Sequence, residues 1–574
     1  MSSLMRRVPV LLVVSWLLFL ALGIWTSGRT PAHHEEISTF PTRPARVLVM
    51  NPQTEQLELE PSCADEDPPD TVSSKGRPQL AVCVGGLTLP VLIASYASGI
   101  PHWHALLGWP LHDGTVIGLR RWVLLVGLFS LFLVHRVVSR LQDELTAGIT
   151  TLVMAVSPVF ILLHATLLQF EVAPWLLILM AALVVLGPKG NTTPRRPWLT
   201  GLLIGLATAS NVKAVFLLTI IVAVAWRVKA LQRVTRGDVG KAAVGFVIGL
   251  IPLWGPAVVF SGDRLNQQVS NRTSFFSRST TLADVGRELL NVIRFASDTA
   301  SYSSPDWEPL GVIGILTGAL IGLCMIYVVV QAVRVMLSRG GHPVEAISGL
   351  LIVAFIVISL KLYNKPQGAN YAPLQGIFAI TIATAITSFV RWLGDKNVAG
   401  FGNPVRASIA IASLFMFGLT HAIYSRLSDI DDVPMPINAR AEQRLMTYLM
   451  EHPDPDATLY TTYYNLAGVI DSLGRGELST VRLERVFNSC PNGDMECVDT
   501  RFGLLMDYPG ALPARIVLPA AVTVRDEGNA GAYEGAMTRA AERAGVTVTL
   551  EGDFAVGVDG DGVPAIRLVR LDRS

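Results

Sequence analysis

The sequence predicts an α-helical polytopic membrane protein with about eleven transmembrane helices and a small C-terminal extracytoplasmic α/β domain, and three observations carry that prediction. Of the 574 residues, 51% are hydrophobic and only 16% are charged, a balance outside that of soluble domains. Apolar runs of about 20 residues, the length that crosses the hydrocarbon core of a bilayer, recur along the chain. Basic residues gather in alternate short loops, while two long polar stretches, 27–114 and 424–574, fall on the other side.

The first apolar run, 8–26, follows Arg6 and Arg7 and reads as an N-terminal signal anchor (1–26). A cleaved signal peptide shares its basic start and the small residues near Ser27 and Gly28, but the run is long for one. Further spans are expected at 115–136, 144–164, 168–187, 240–261, 309–333, 345–361, 373–391 and 405–423, within a membrane core of 115–423. The stretch 198–226 has Arg195 and Arg196 before it and Arg227, Lys229, Arg233 and Arg236 after it, so both flanks are cytoplasmic under the positive-inside rule. It therefore reads as a hairpin of two short segments, broken near Asn211, Val212 and Lys213. With the N-terminus inside, each basic loop lies in the cytoplasm and the C-terminal domain lies outside, as in a multi-pass protein of the inner (plasma) membrane.

In the first extracytoplasmic loop, 27–114, the apolar stretch from 79 onward is broken by Gly85, Gly86, Pro90, Pro101 and Pro110. It reads as interfacial helices, with Trp103 and Trp109 at headgroup level. In the tail, helical patterns (AEQRLMTYLMEH, NLAGVIDSLG, AYEGAMTRAAERAG) alternate with strand patterns (ATLYTTYY, ARIVLP, VTVTL, FAVGV, AIRLVRL), which gives the α/β domain of 424–574. No catalytic triad, phosphate loop or metal cluster is legible there. Cys63 with Cys83 and Cys490 with Cys497 are expected as disulfides in an oxidising exterior, leaving Cys324 inside a span. A net charge of +1 without a basic arm indicates no nucleic-acid partner.

Polar residues at the exterior boundary carry the functional reading. Glu35 and Glu36 follow the first span in PAHHEEISTF, and a carboxylate there is a candidate general base, with His33 and His34 as proton partners or metal ligands. A solvated polar turn is the competing reading. Glu171, in LLQFEVAPW, begins the fourth span, and Lys213 at the hairpin tip is its natural counter-charge. Arg120 and Arg121 open the second span; Lys361 and Lys365 flank KLYNKPQGANYAPL, where Asn370 and Tyr371 also stand. Such cations suit a lipid phosphate, whose leaving oxygen gains charge as its bond breaks. His102, His104, His112 and Asp113 face either a site or solvent.

These residues together resemble the polytopic GT-C glycosyltransferases, especially the bacterial relatives of protein O-mannosyltransferase and lipid A aminoarabinose transferase. The resemblance covers about 30–425 and is densest from Gly85 to Lys213. HHEE at 33–36 occupies the place of the family's acidic motif; GGLTLPVLIASYASGIPHW resembles its interfacial segment, IGLRRWVLLVGLFSLFLV its Arg-bearing second span, AVSPVFILLHATLLQFEVAPW its third and fourth spans, and GLLIGLATASNVKAVFLL its Lys-bearing hairpin. Two positions depart from the family, which commonly has Asp first in the acidic motif, where His34-Glu35 or Glu35-Glu36 stands here, and Asp where Glu171 stands.

The resemblance implies a GT-C-like fold and inverting single displacement on a polyprenyl-phosphate sugar. Glu35 or Glu36 is then the base, and Glu171 orients the acceptor or holds a divalent metal ion together with His33 and His34. Lys213 and Lys365 neutralise the lipid phosphate, with Arg120, Tyr371 and His102 as further substrate contacts. The acceptor is a lipid, a polysaccharide or a protein. Two other classes compete: a transporter or flippase of a lipid-linked sugar, which commonly shows internal repeats that are not found here, and a non-catalytic membrane scaffold presenting the tail domain.

Overall fold

The structure, a computed structural model, describes residues 8–29, 46–51, 54–59, 71–73, 80–84, 87–94, 97–100, 107, 116–165, 169–187, 196–211, 214, 234–260, 281–297, 311–337, 345, 348–350, 352–353, 356, 375–398, 401–428, 439–462, 480–487, 490, 494–519, 530–555 and 564–573. The chain divides into two compact units. One is Met1–Thr30, Val91–Leu107 and Arg120–Pro434, and the other is Pro31–Pro90, Gly108–Leu119 and Met435–Ser574.

The first unit is a helical bundle: α1 (Val8–Arg29), α2 (Val116–Leu141), α3 (Glu144–Ala155), α4 (Pro158–Ala165), α5 (Gln169–Leu186), α6 (Pro197–Ser210), α7 (Arg236–Phe260), α8 (Leu282–Ser297), α9 (Gly311–Met336), α10 (Gln375–Asp395) and α11 (Pro404–Ser428). Among the described residues six helices are long and apolar enough to cross a membrane, or seven if α3 and α4, bent by 66° at their junction, make one span. The bend falls where Pro158, which has no N–H to donate, starts a new helix. Every expected span but 345–361 and the hairpin is matched by a helix or by this bent pair. Most of 345–361, and the second arm of the hairpin, lie outside the described residues.

Helix contacts in lipid rest on close approach and polar side chains, because hydrocarbon gives helices no hydrophobic reason to associate. α6 and α7 meet backbone to backbone along two small-residue ridges. A Cβ built on Gly205 would lie 2.3 Å from the Phe246 carbonyl oxygen and 2.9 Å from Gly249 Cα, and one on Gly245 would lie 2.0 Å from the Trp198 carbonyl oxygen. Because Trp198 meets Gly245 and Leu202 meets Gly249, the two helices run in the same direction. Consecutive parallel helices need a return between them, in accord with the two-segment reading of 198–226.

α1 runs antiparallel to α2. The indole Nε1 of Trp16 donates to the Leu128 carbonyl at 3.2 Å, and Gly127 and Gly23 admit Phe19 and Leu124 in successive turns. At the other end of α2, side chains tie its turn into α3 to α10. Asp143 caps α3, accepting from the Thr146 amide at 2.9 Å, and receives Arg391 of α10 at 2.6 Å. Gln142 donates to Thr384 at 3.1 Å, and the Thr146 and Thr387 hydroxyls are 3.2 Å apart. α8 is an amphipathic helix opened by a reciprocal Thr281–Asp284 cap, and Ile293 packs over Gly322 of α9.

The second unit is built on a seven-stranded sheet of β1 (Arg46–Met50), β2 (Leu57–Leu59), β7 (Thr458–Thr461), β8 (Thr480–Arg482), β9 (Ala514–Pro519), β10 (Val546–Ala555) and β11 (Pro564–Arg573), in the order β10-β11-β9-β7-β8-β1-β2. The central strands β9, β7, β8 and β1 are parallel, and the flanking β2, β11 and β10 are antiparallel. Strand alternation sends Leu459, Val517 and Leu568 toward α12 (Ala439–Glu451) on one face. On the other face, Tyr460, Ile516 and Val569 join Phe502 and Met537 of α14 (Met495–Asp507) and α15 (Ala530–Ala544); α13 (Glu484–Phe487) covers the same side. The α/β reading of the tail holds, with two additions: β1 and β2 of the first loop complete its sheet, and VTVTL and the Phe554–Ala555 start of FAVGV merge into β10 across a bulge near Leu550 and Gly552.

The interfacial helices expected from 79 onward are corrected over 80–98. There the chain forms β4 (Leu80–Val84), β5 (Leu87–Ala94) and β6 (Ala97–Ser98), which with β3 (Thr71–Ser73) make a four-stranded sheet. The run LTLPVLIA carries a β-branched residue at every second or third position and a proline, which favours extended backbone over a helix. Cys490 and Cys497 form a disulfide, Cys83 is disulfide-bonded, and Cys324 is free; Cys63 lies outside the described residues.

Two outcomes follow. Gly205→Leu is expected to abolish the α6–α7 crossing, seen as loss of monodisperse protein on size exclusion, whereas Gly240→Ala, with nothing within 4 Å of the added Cβ, leaves folding intact. In the sheet domain, a hydrogen bond from Arg543, assisted by Arg539 at 3.1 Å and opposed by partial burial, holds the Asp499 carboxyl below the usual carboxylate range. The stability this contributes is complete above pH ~4, the unfolded carboxylate value, and is lost as pH falls through the lower folded value. Asp499→Asn is expected to flatten that acid limb in a pH series of thermal melts.

Candidate functional site

At one end of the bundle α1 finishes and α2, α5 and α10 begin. Arg120, in the first turns of α2, is only 3% exposed, and its Nη1 donates to the Ser27 carbonyl at 2.5 Å. Ser27 lies in the last turn of α1, where carbonyls lack helical donors and a cation is favoured by the helix dipole. The contact therefore pins the end of α1 against the start of α2.

Glu171 lies in the first turn of α5, one turn before Trp175. Trp175 is fully buried: its indole Nε1 donates to Ser130 of α2 at 3.1 Å, and its ring lies where a Cβ on Gly376 of α10 would be 2.1 Å away. Further along, Arg140 of α2 donates to the Gly187 carbonyl at 2.6 Å, so α2 and α5 run in the same direction. At 1.5 Å rise per residue, Glu171 stands about 6 Å beyond Trp175, and Arg120 about 15 Å beyond Ser130, toward the same end. Pro174 removes the helical donor for the Phe170 carbonyl, so this end of α5 also offers a backbone acceptor next to Glu171.

The remaining candidates are neighbours of bundle helices in chain order only. Glu35 and Glu36 follow α1; Lys365 and Tyr371 precede α10; Lys213 follows α6, which ends at Ser210 with Asn211 as an extended C-cap. His33, His34, Glu35, Glu36, His102, Lys213, Lys365 and Tyr371 lie outside the described residues, as does the Glu171 side chain. Among the described residues no group of three His, Cys, Asp or Glu side chains is arranged to hold a metal ion. Sequence reasoning missed Trp175, Ser130 and Ser27. Only the first carried a signal, as a tryptophan one helical turn after the acidic residue in QFEVAPW.

No protein-family model matches the sequence, and no curated protein does. The fold does match solved membrane proteins. ArnT from Cupriavidus metallidurans, solved bound to undecaprenyl phosphate, aligns with a TM-score of 0.55 over 99% of this chain and 98% of its own, at 12% identity. The archaeal oligosaccharyltransferase AglB from Archaeoglobus fulgidus, solved with an inhibitory peptide and a dolichol-phosphate, aligns with a TM-score of 0.49 over 99% of this chain and 74% of its own, at 12% identity. The chain thus has the fold of ArnT, a GT-C architecture of polytopic helices with a C-terminal sheet domain, and the resemblance read from the sequence is borne out at the level of fold.

Arg120→Leu removes a charged donor from a buried carbonyl and is expected to lower stability by about 1.5–3 kcal/mol. Thermal unfolding of the purified protein checks this, and a midpoint equal to that of the parent would show that the contact to Ser27 contributes nothing.

Proposed function

We propose that the protein is a membrane glycosyltransferase that moves a sugar from a polyprenyl-phosphate donor to an acceptor hydroxyl on the extracytoplasmic face of the plasma membrane. The end-to-end match to ArnT, itself solved with undecaprenyl phosphate, is the observation that carries this reading. Fold alone does not fix chemistry, so support also comes from the acidic and basic residues that neighbour bundle helices in chain order.

In the proposed reaction the acceptor oxygen attacks the anomeric carbon from the face opposite the lipid phosphate. The carbon–oxygen bond to phosphate breaks, its electron pair leaves with the phosphate, and configuration inverts. Glu35 or Glu36 takes the acceptor's proton, a role that needs a carboxylate at hydrogen-bond distance and partly shielded from water. Glu171 orients the acceptor. Lys213 and Lys365 neutralise the charge that grows on the leaving phosphate, with Tyr371 and His102 as further substrate contacts. The described residues supply no metal ligand set, and none of these steps is routed through a metal.

The topology belongs to the same proposal: N-terminus in the cytoplasm, sheet domain outside. The long side chain of Glu at positions 35 and 171 still reaches an acceptor, because one added methylene is accommodated by rotation about its own χ angles.

Removing a general base costs about 10²–10⁴-fold in rate. Glu35→Gln and Glu36→Gln, assayed for transfer of labelled sugar from a synthetic polyprenyl-phosphate donor, are therefore expected to include one variant with that loss in kcat. Mass spectrometry of lipids retained by the purified parent protein is expected to find a polyprenyl phosphate. Undiminished transfer in Glu35→Gln, Glu36→Gln and Glu171→Gln alike would remove the carboxylate mechanism.

A further inference from the structure

Glu345 is 4% exposed and lies at the end of the bundle opposite Glu171. Its Oε2 accepts from the Tyr327 hydroxyl of α9 at 3.1 Å, and its Oε1 accepts from the Ser388 hydroxyl of α10. Ser388 and Gln331 also lie against the Tyr327 hydroxyl. Gln331, one turn after Tyr327 on α9, is 6% exposed, and its Oε1 has no hydrogen-bond partner.

This cluster differs from the half-buried carboxylate at that end. Asp143 has Arg391 at 2.6 Å. Among the described residues, by contrast, no Lys, Arg or His makes an ion pair with Glu345. A carboxylate removed from water among packed helices is strongly disfavoured unless something compensates its charge, and an intramembrane ionisable residue marks an ion or substrate site by default.

We propose that Glu345, Tyr327, Gln331 and Ser388 bind one monovalent hard cation of the sodium class, which joins α9, α10 and the segment bearing Glu345. Three features select that ligand. The groups that meet here offer oxygens and no sulfur or imidazole, the donor set of hard cations. One carboxylate balances one charge, whereas a divalent ion would leave an uncompensated charge in a low-dielectric setting. The Gln331 carbonyl oxygen, on a side chain that meets the Tyr327 hydroxyl, is an unpartnered buried acceptor, and a bound cation gives it a partner. No step of the proposed sugar transfer uses the site, so it is a structural ion binding site distinct from the exterior end.

The test is thermal unfolding of the full-length purified protein in sodium chloride and in N-methyl-D-glucamine chloride at equal ionic strength. In sodium the midpoint is expected to rise with concentration as ln(1 + [Na⁺]/Kd), and in the bulky cation it is expected to stay flat. Glu345→Gln and Gln331→Leu abolish the sodium increment. Asp143→Asn, which breaks the neighbouring ion pair, lowers the midpoint in both salts and keeps the increment. Equal midpoints for the parent protein in the two salts, or an increment that survives in Gln331→Leu and Glu345→Gln, would overturn the site. The parent series decides the matter even where a variant fails to fold, and because the readout is stability, it stands or falls apart from glycosyl transfer.

Discussion

Helices surrounded by hydrocarbon gain nothing from burying more apolar surface, so this bundle depends on how closely backbones approach and on which polar side chains meet between them. Gly201, Gly205, Gly245 and Gly249 let α6 and α7 touch where any side chain would collide with a carbonyl. On the other side of the bundle α10 is held by hydrogen bonds, through Thr384, Thr387 and Arg391 to the α2–α3 turn and through Ser388 to Glu345. In both places specificity comes from groups that have few alternative partners in lipid.

That arrangement distributes fixed and functional positions unevenly. The polar ties of α10 cluster toward Asp395, far along the helix from Gln375, while the opposite end is packed by one large aromatic residue, Trp175, wedged between Ser130 and Gly376. Glu171 begins one turn beyond this wedge. The first turn of α5 thus lies beyond the level at which this indole packs α5 against α2 and α10.

Much of this was legible in the sequence because membrane spans are written in long apolar runs and basic loops, signals that need no tertiary information. The first span, the third span at 144–164 and the end of the first hairpin segment at Asn211 appear where the pattern places them, whereas the bend at Pro158 within the third span was not read from it. The strands at 80–98 were not legible as such, because a short apolar run with glycine and proline reads equally well as an interfacial helix or a strand until its partners are known. Nor was the pairing of β1 with β8, which joins Arg46 to Val481 across more than four hundred residues of chain. Arg120 was legible as a cation at the exterior boundary, but not as a donor to the Ser27 carbonyl, since nothing in the spacing of two residues far apart in sequence encodes a hydrogen bond.

Those last two contacts bear on the segment with the candidate base. Ser27 is tied by Arg120 at the end of α1, and Arg46 is paired in the central sheet, so the chain between them, which contains His33, His34, Glu35 and Glu36, is anchored at both ends. Closing a loop of given length removes a fixed share of its conformational entropy, a cost that grows only slowly with length. A segment fixed at both ends has fewer conformations open to it than a tail fixed at one, which lowers the entropy that a proposed base on it would lose on being oriented. The split construction of the sheet domain, with β1 and β2 contributed from beyond the first span, fixes the far end of the segment that carries HHEE to the central sheet, although no catalytic motif is legible in the domain itself.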